Sequence, residues 1–323
     1  MTLFDVFNGD ADGICALHQL RLAAPAASQL ITGPKREIDL LKRVRAQAGD
    51  RVTVLDISLA KNRTALDGLL AAGVHVQYFD HHQPGDIPVH AGFESHIDTD
   101  AEVCTSLLVN AHLRGQHLAW AVAAAFGDNL AASARRAAAP LGLSEAELAR
   151  LQSLGECLNY NGYGETLDDL HFDPAALYRA VQPYADPFAF LAESPAYGVL
   201  QAGYADDMAR AEGMVPLEAR RNGRVFLLPA EKWARRISGV YGNRLAVAAP
   251  AQAHAVLTAK PDGGYLVSVR APLADRQGAD VLCSQFDTGG GRKAAAGINH
   301  LPEAELGRFI AGFYTVFSGI QTA

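Results

Sequence analysis

A short acidic turn near the start of the chain constrains the fold more than any other feature. The stretch Phe7–Ala16 reads Phe-Asn-Gly-Asp-Ala-Asp-Gly-Ile-Cys-Ala; a predicted strand, Leu3–Phe7, precedes it, and a helical pattern, Ile14–Ala24, follows. The chain thus passes from strand to helix through a glycine turn that holds Asp10 and Asp12. A helix N-terminus stabilises each carboxylate by only about 0.3–1 kcal/mol. Their mutual repulsion therefore requires solvent or a cation.

The first third of the chain alternates between strand and helix patterns. The predicted strands are Leu3–Phe7, Gln29–Thr32, Val52–Leu55 and Val74–Phe79, and the predicted helices are Ile14–Ala24, Glu37–Ala48 and Lys61–Ala72. This order predicts an α/β fold, a doubly wound parallel sheet with helices on both faces. The pattern from Ala101 to Arg150 is helical with a break at Gly127-Asp128-Asn129, and Leu158–Pro174 is predicted to be irregular.

A smaller α/β domain with a mixed sheet is predicted to follow. Asn222-Gly223 and Pro261-Asp262-Gly263-Gly264 are hairpin signals between apolar segments. Helical patterns cover Glu231–Tyr241 and Asp280–Phe286. We therefore expect a first domain over residues 1–185, a connecting linker and helix over 186–213, and a second domain over 214–323.

Composition and charge exclude several classes of protein. The net charge of −7 argues against a protein that coats long nucleic acid, which usually needs a strongly basic face. The four cysteines are widely spaced and form no CxxC pair, which favours reduced thiols in the cytoplasm over disulfides or structural zinc. No signal peptide is recognisable, and the longest apolar run, Leu118–Gly127, is about half the ~20 residues of a membrane span.

Acidic residues and histidines follow the predicted strands where each strand ends. They are Asp10, Asp12, Asp56, Asp80-His81-His82 and, after an apolar helix, Asp128. The carboxyl ends of parallel strands meet at one edge of a sheet, where such folds bind ligands. Taken singly, Asp10 or Asp56 is more often a helix cap or turn residue. Together, carboxylates that repel by roughly 4 kcal/mol per close pair need cations.

The ligand types indicate which cations suit this edge. Carboxylates with one or two imidazoles suit Mn²⁺, Mg²⁺ or Zn²⁺, and no thiolate is present to favour a softer metal. A shared carboxylate can bridge two ions roughly 3.5–4 Å apart and hold a hydroxide between them, in line with a phosphorus atom.

With these motifs the sequence resembles the DHH phosphoesterase superfamily. The motifs are Asn8-Gly9-Asp10-Ala11-Asp12-Gly13, Asp56, Asp80-His81-His82 and Gly127-Asp128-Asn129, in matching order and spacing. Asp98 with Cys104-Thr105-Ser106 resembles a further segment of that family. Ser268-Val269-Arg270 and the run from Gly289 to Gly297 resemble its DHH-associated C-terminal domain. Relatives include RecJ-type exonucleases, nanoRNases and dinucleotide phosphodiesterases.

The resemblance implies a metal centre and assigns its ligands. Asp10 and Asp56 would hold one ion, and Asp12, Asp56, His81 and Asp128 the other, with Asp56 as the bridge. His82 would face the scissile phosphate, and Asp80 would orient the imidazoles. The expected cofactor is Mn²⁺, as two ions, with Mg²⁺ or Co²⁺ as alternatives.

The glycine-rich run is predicted to bind a substrate phosphate, since glycines let backbone N–H groups approach an anion closely. The expected substrate-binding residues are Arg270, Gly289, Gly290, Gly291, Arg292 and Lys293.

Two positions depart from the family pattern. Many relatives have a His four residues before the first Asp or an Asp two before it, whereas this chain has Val6 and Asn8. The neutral amide of Asn8 is a weaker ligand, which leaves the first ion loosely held. The usual Gly-Gly-Gly-His is Gly-Gly-Gly-Arg here, and Arg292 suits a phosphate rather than a base edge.

Residue type alone suggests roles for two further kinds of segment. In the segment 159–165, Tyr160 or Tyr163 could stack on a base, and an exposed turn-rich loop is an equal alternative. The basic clusters are predicted to be solvated faces; they are Lys35-Arg36, Lys42–Arg45, Arg220–Arg224 and Arg235-Arg236.

The leading functional hypothesis is a metal-dependent phosphodiesterase for short RNA or linear dinucleotides of the pGpG or pApA type, with mononucleotides as products. The alternative within the same enzyme class is a RecJ-like exonuclease on single-stranded DNA. A nucleotide-binding sensor with impaired catalysis is a third hypothesis, suggested by Asn8 and Arg292. We expect no membrane partner and a monomer or a homodimer.

Overall fold

The chain folds into two compact units. The computed structural model describes residues 1–319, with one unit over Met1–Gly203 and another that begins at Tyr204. The division falls inside helix α9, Pro195–Glu212, within the segment 186–213 that the sequence suggested as a connection. Each unit is described by itself below.

The first unit is built on a parallel sheet of five strands in the order β2-β1-β3-β4-β5. The strands are β1 Leu3–Phe7, β2 Gln29–Ile31, β3 Arg51–Leu55, β4 His75–Asp80 and β5 Phe93–Ile97. The predicted doubly wound parallel sheet is confirmed. Val6, Val54 and Val76 on its central strands are almost fully buried, as strands covered on both faces require.

Helices make up the rest of this unit. They are α1 Ala11–Ala23, α2 Leu59–Ala71, α3 Thr105–His112, α4 Leu118–Gly127, α5 Ala131–Ala138, α6 Glu145–Gly162, α7 Pro174–Val181, α8 Pro187–Glu193 and the start of α9. Helix α4 is buried from Trp120 to Gly127, which explains its apolar sequence. Helix α6 begins with a capping box between Ser144 and Glu147.

The prediction of a helix over Glu37–Ala48 is wrong, because the helical structure in this segment is limited to the 3-10 turn Leu40–Arg43. The side chain of Asn62 accepts from Leu41 N and donates to Ile38 O, at 3.1 and 2.6 Å. These contacts satisfy backbone groups that a regular helix would pair internally.

The irregular segment predicted over Leu158–Pro174 begins too early, because α6 continues to Gly162. Asn161 is fully buried, and its side chain bonds both the N–H and the carbonyl of Phe172. Tyr160 is also fully buried and bonds His171, so it cannot stack on a base.

The second unit has a mixed sheet of six strands in the order β10-β11-β9-β8-β7-β6. The strands are β6 Glu218–Arg220, β7 Gly223–Leu228, β8 Ala253–Ala259, β9 Tyr265–Arg270, β10 Gly289–Gly291 and β11 Ala295–Leu301. Only β7 and β8 pair in parallel, and the two predicted hairpins are present. Helices α10 Lys232–Ala248, α11 Ala279–Cys283 and α12 Leu306–Val316 complete the unit, and Phe309 and Phe313 lie in its core.

All four cysteines are buried and free. Among residues 1–319, no helix combines the length and the hydrophobicity that crossing a membrane requires.

Candidate metal centre

Carboxylates and imidazoles, which are side chains of the types that can ligate metals, converge at the carboxyl edge of the first unit's sheet. Asp56, His81 and His82 form one cluster, and Asp12, His81 and Asp128 form another, with the ligand atoms of each cluster within 4.8 Å of one another. The residues come from the first turn of α1, the ends of β3 and β4, and the end of α4. The parallel sheet thus assembles side chains that are far apart in the sequence.

The N-terminus of α3 holds the carboxylate of Asp12. Thr105 N donates to Asp12 Oδ2 and Ser106 N donates to Asp12 Oδ1, each at 2.7 Å. Ser106 Oγ donates to the Asp12 carbonyl at 2.8 Å. Unpaired N–H groups at a helix start are a natural partner for a carboxylate, so Asp12 is fixed in position.

Asp56 lies in a strained and strongly charged position. Its backbone has φ +58°, a left-handed conformation that costs a non-glycine residue about 1 kcal/mol or more. Burial and the charges of Asp10 and Asp12 raise the pKa of Asp56 well above its usual range, although His81 opposes the shift. A buried carboxylate with a raised pKa and acidic neighbours is a position that favours a bound cation.

His81 has one nitrogen engaged and one directed at the carboxylates. Its Nδ1 lies 2.9 Å from the carbonyl of Val103, which can only accept, so Nδ1 carries the proton. Its Nε2 lies 3.4 Å from Asp56 Oδ1 and 3.8 Å from Asp128 Oδ2. This tautomer is the one that a metal-ligating histidine adopts.

The carboxylates around His81 shift its pKa. Burial lowers the pKa of His81, but the hydrogen bond and charge of Asp56, together with Asp12 and Asp128, raise it to about 10. Burial also raises the pKa of Asp128, against the charge of Lys35. The carboxylates around His81 thus favour a nearby positive charge.

Asp80 fixes the orientation of His82. Its Oδ1 accepts from His81 N at 2.9 Å and from His82 Nδ1 at 2.7 Å. Asp80 is fully buried, whereas the His82 side chain is 36% exposed. With Nδ1 bonded to Asp80, the Nε2 of His82 is directed away from this contact and can meet a ligand.

Asp10 lies beside these clusters but belongs to neither. Its Oδ1 caps α1 by accepting from Asp12 N and Gly13 N at 3.0 and 3.1 Å. Its Oδ2 lies 2.5 Å from Lys35 Nζ. The prediction that Lys35 belongs to a solvated face is therefore wrong.

Asn8 contributes a buried amide next to the acidic turn. Asn8 is 9% exposed, and its Oδ1 has no hydrogen-bond partner among the residues that the structure describes. An orphaned buried oxygen at this position can accept a ligand.

The proposed substrate-binding residues of the second unit occupy a strand and a hairpin. Gly289, Gly290 and Gly291 form β10, which pairs with β11, and the exposed Arg292 and Lys293 lie in the tight turn between these strands. A Cβ at Gly289 would lie 1.8 Å from Cys283 O, so packing alone requires this glycine. Arg270 bonds Asn243, Ser268 and the Gly239 carbonyl within the same unit.

The donor set of the first unit fits a hard divalent ion. Carboxylate oxygens of Asp12, Asp56 and Asp128 with the Nε2 of His81 are ligands that Mn²⁺ or Mg²⁺ accepts. His81 already has its other nitrogen fixed, as a ligand requires.

Known proteins share this architecture, although no protein-family model and no curated protein matches the sequence. A manganese-bound RecJ exonuclease superposes with a TM-score of 0.63 at 16% identity over 99% of this chain and 91% of that one. RecJ from Thermus thermophilus with Mn²⁺ gives 0.62 at 19% identity, over 98% of this chain and 52% of that one. The pGpG-specific phosphodiesterase PggH from Vibrio cholerae gives a TM-score of 0.55 at 13% identity, over 99% of this chain and 100% of that one. The chain therefore shares the fold of these RecJ and PggH structures.

Proposed function

We propose that this protein is a metal-dependent phosphodiesterase that cleaves short oligonucleotides or linear dinucleotides, such as pGpG or pApA, to mononucleotides. The convergence of Asp12, Asp56, His81 and Asp128 beside the partly exposed His82 carries the proposal. Metal-assisted hydrolysis of a phosphoester uses a cation next to a group that can meet the phosphate, and the side chains at this edge of the sheet support both roles.

The roles of the residues follow from their contacts. Asp12, Asp56, His81 and Asp128 would hold Mn²⁺, with Asp12 fixed by α3 and His81 fixed by the Val103 carbonyl. Divalent ions would supply an activated water and neutralise charge on the phosphoryl oxygens. His82, oriented by Asp80, would contact the scissile phosphate through Nε2.

The preference for a short substrate is part of the proposal. The net charge of −7 disfavours a long polyanion, and the fold spans the full length of a pGpG-specific phosphodiesterase. A phosphate at the other end of the substrate would be bound by residues of the second unit, namely Arg270, Gly289, Gly290, Gly291, Arg292 and Lys293. The exposure of Arg292 and Lys293 at the hairpin tip supports this role.

The test compares the parent protein, Asp56→Asn and Asp262→Asn on 5′-phosphorylated dinucleotides with Mn²⁺. Asp56 contacts His81, which belongs to both clusters of possible ligands, so the loss of its charge should lower turnover by at least 100-fold. Asp262 is exposed in a hairpin turn, and its change controls for the loss of one charge. Equal rates for Asp56→Asn and the parent protein would refute the assignment.

A RecJ-like exonuclease on single-stranded DNA is the second candidate. The greater structural similarity to RecJ than to PggH favours it. Rates on strands of two and of twenty residues separate the candidates, because the dinucleotide enzyme should prefer the shorter strand and the exonuclease the longer.

We also infer a cytoplasmic location. The four free, buried cysteines support it, because a reducing compartment preserves thiols.

A further inference from the structure

We propose that the ammonium group of Lys35 takes the place of one of the two divalent ions expected from the sequence, so that the centre binds a single divalent ion. The inference rests on the proposed function for the presence of a divalent ion, and it goes further by fixing the number of ions. It also makes Asp10 a partner of Lys35 and not a metal ligand.

The contacts of Lys35 Nζ are those of a cation enclosed by oxygens. Nζ lies 2.5 Å from Asp10 Oδ2 and 3.7 Å from Asp128 Oδ1. It also donates to Asn159 Oδ1 at 3.0 Å. The ring centroid of Tyr163 lies 5.5 Å away, within the range of a cation–π contact. Every polar group around this ammonium thus favours positive charge.

The backbone holds Lys35 at this position. Lys35 N donates to the carbonyl of Gly162 at 2.9 Å. The segment before it passes so close to the acidic turn that a Cβ at Gly9 would lie 2.2 Å from the Gly33 carbonyl. A Cβ at Gly162 would lie 3.0 Å from the Cβ of Asp10. Lys35 therefore reaches Asp10 through a close fit of three chain segments and not through a flexible surface contact.

Lys35 and Asp10 form an ion pair inside the site. A lysine side chain ordinarily carries a positive charge at neutral pH. Its Nζ lies 2.5 Å from Asp10 Oδ2, with the carboxylate of Asp128 at 3.7 Å.

One oxygen of Asp10 already meets a cation, the ammonium group of Lys35. Oδ1 accepts from Asp12 N and Gly13 N, and Oδ2 meets Lys35. Consistent with this, Asp10 belongs to neither cluster of possible metal ligands. The ligands that remain are sufficient for one ion, whereas a second ion beside Asp10 would have to displace Lys35.

Mn²⁺ stoichiometry tests the proposal without an activity assay. After equilibrium dialysis, metal analysis should find one Mn²⁺ per chain in the parent protein and in Lys42→Met, which removes an exposed lysine. Lys35→Met should bind two, because Asp10 becomes available. Asp10→Asn should still bind one, and Asp12→Asn should lose at least 10-fold in affinity.

Electron paramagnetic resonance of the parent protein provides a measurement that needs no variant. A single ion gives the spectrum of isolated Mn²⁺, whereas two bridged ions give an exchange-coupled spectrum. Two ions in the parent protein, one ion in folded Lys35→Met, or loss of the ion in Asp10→Asn would each overturn the inference. If Lys35→Met does not fold, Asp10→Asn and the parent spectrum still decide it. One ion in the parent and two in Lys35→Met, with no dinucleotide turnover, would refute only the proposed function.

Discussion

A single buried carboxylate, Asp80, controls the imidazole that is exposed to a ligand. Its Oδ1 accepts from both His81 N and His82 Nδ1, while its Oδ2 has no partner among residues 1–319. A carboxylate in this position fixes the ring and raises the basicity of its far nitrogen. We therefore propose that Asp80 acts through His82, as a positioning residue.

We predict that Asp80→Asn lowers kcat for dinucleotide cleavage about 10–100-fold and leaves KM nearly unchanged. The amide keeps the size of the side chain but removes the charge that holds the His82 imidazole. Steady-state kinetics measures the split between kcat and KM. Asp86→Asn, an exposed change in the loop after β4, serves as the control. A rise in KM with unchanged kcat would contradict the role assigned to Asp80.

Residue type and position predicted the acidic cluster, but they did not predict that Lys35 pairs with Asp10 beside it. Asp12 and Asp56 follow strands, so the strand pattern alone places them at one edge. Lys35-Arg36 resembles an ordinary surface pair in the sequence. Lys35 donates to Asn159, 124 residues further along the chain, and local sequence carries no signal of such a contact.

At the scale of elements, helix α6 has a starting cap and an end that contacts the site. Ser144 Oγ accepts from Glu147 N, and the Glu147 carboxylate accepts from Ser144 N. The opposite end supplies Asn159 and the Gly162 carbonyl that hold Lys35. One helix thus connects a local capping motif with the acidic centre.

We predict that Ser144→Ala lowers the free energy of unfolding by about 1 kcal/mol, because α6 loses its N-cap. Urea denaturation followed by circular dichroism measures this change. Mn²⁺ stoichiometry should stay unchanged, because the cap lies at the far end of α6. A loss of the ion in the folded variant would show that the cap affects the site.

Element boundaries were less predictable than element types. Strand β5, Phe93–Ile97, was not predicted; it pairs with β4 after a connection without a helix. The Glu37–Ala48 pattern had helical spacing, but Asn62 engages the backbone there. Tertiary hydrogen bonds decided these cases, and periodicity does not reveal them.

At the scale of the whole molecule, the proposed ligands come from segments spread over residues 12–128. The strand and helix alternation was enough to predict the parallel sheet, since β-α-β order leaves few other topologies. The mixed sheet of the second unit followed from two hairpin signals.

We predict that Mn²⁺ slows amide hydrogen exchange around Asp12, Asp56, His81 and Asp128 and leaves the second unit unchanged. An ion bound only by the folded state stabilises it by about 2.7 kcal/mol at a free concentration of 100 Kd. Hydrogen exchange with mass spectrometry, with and without EDTA, measures the effect. Equal protection in both conditions would argue against a metal centre at this edge.

The pairing of Lys35 with Asp10 has a consequence for metal starvation. An amino group attached to the chain cannot be dialysed away or captured by a chelator, so the acidic turn keeps a counter-charge at any manganese supply. Depletion of manganese would then remove only the single divalent ion, which is the one cation of the centre that can exchange. Reactivation should follow a simple saturation curve with a Hill coefficient near one.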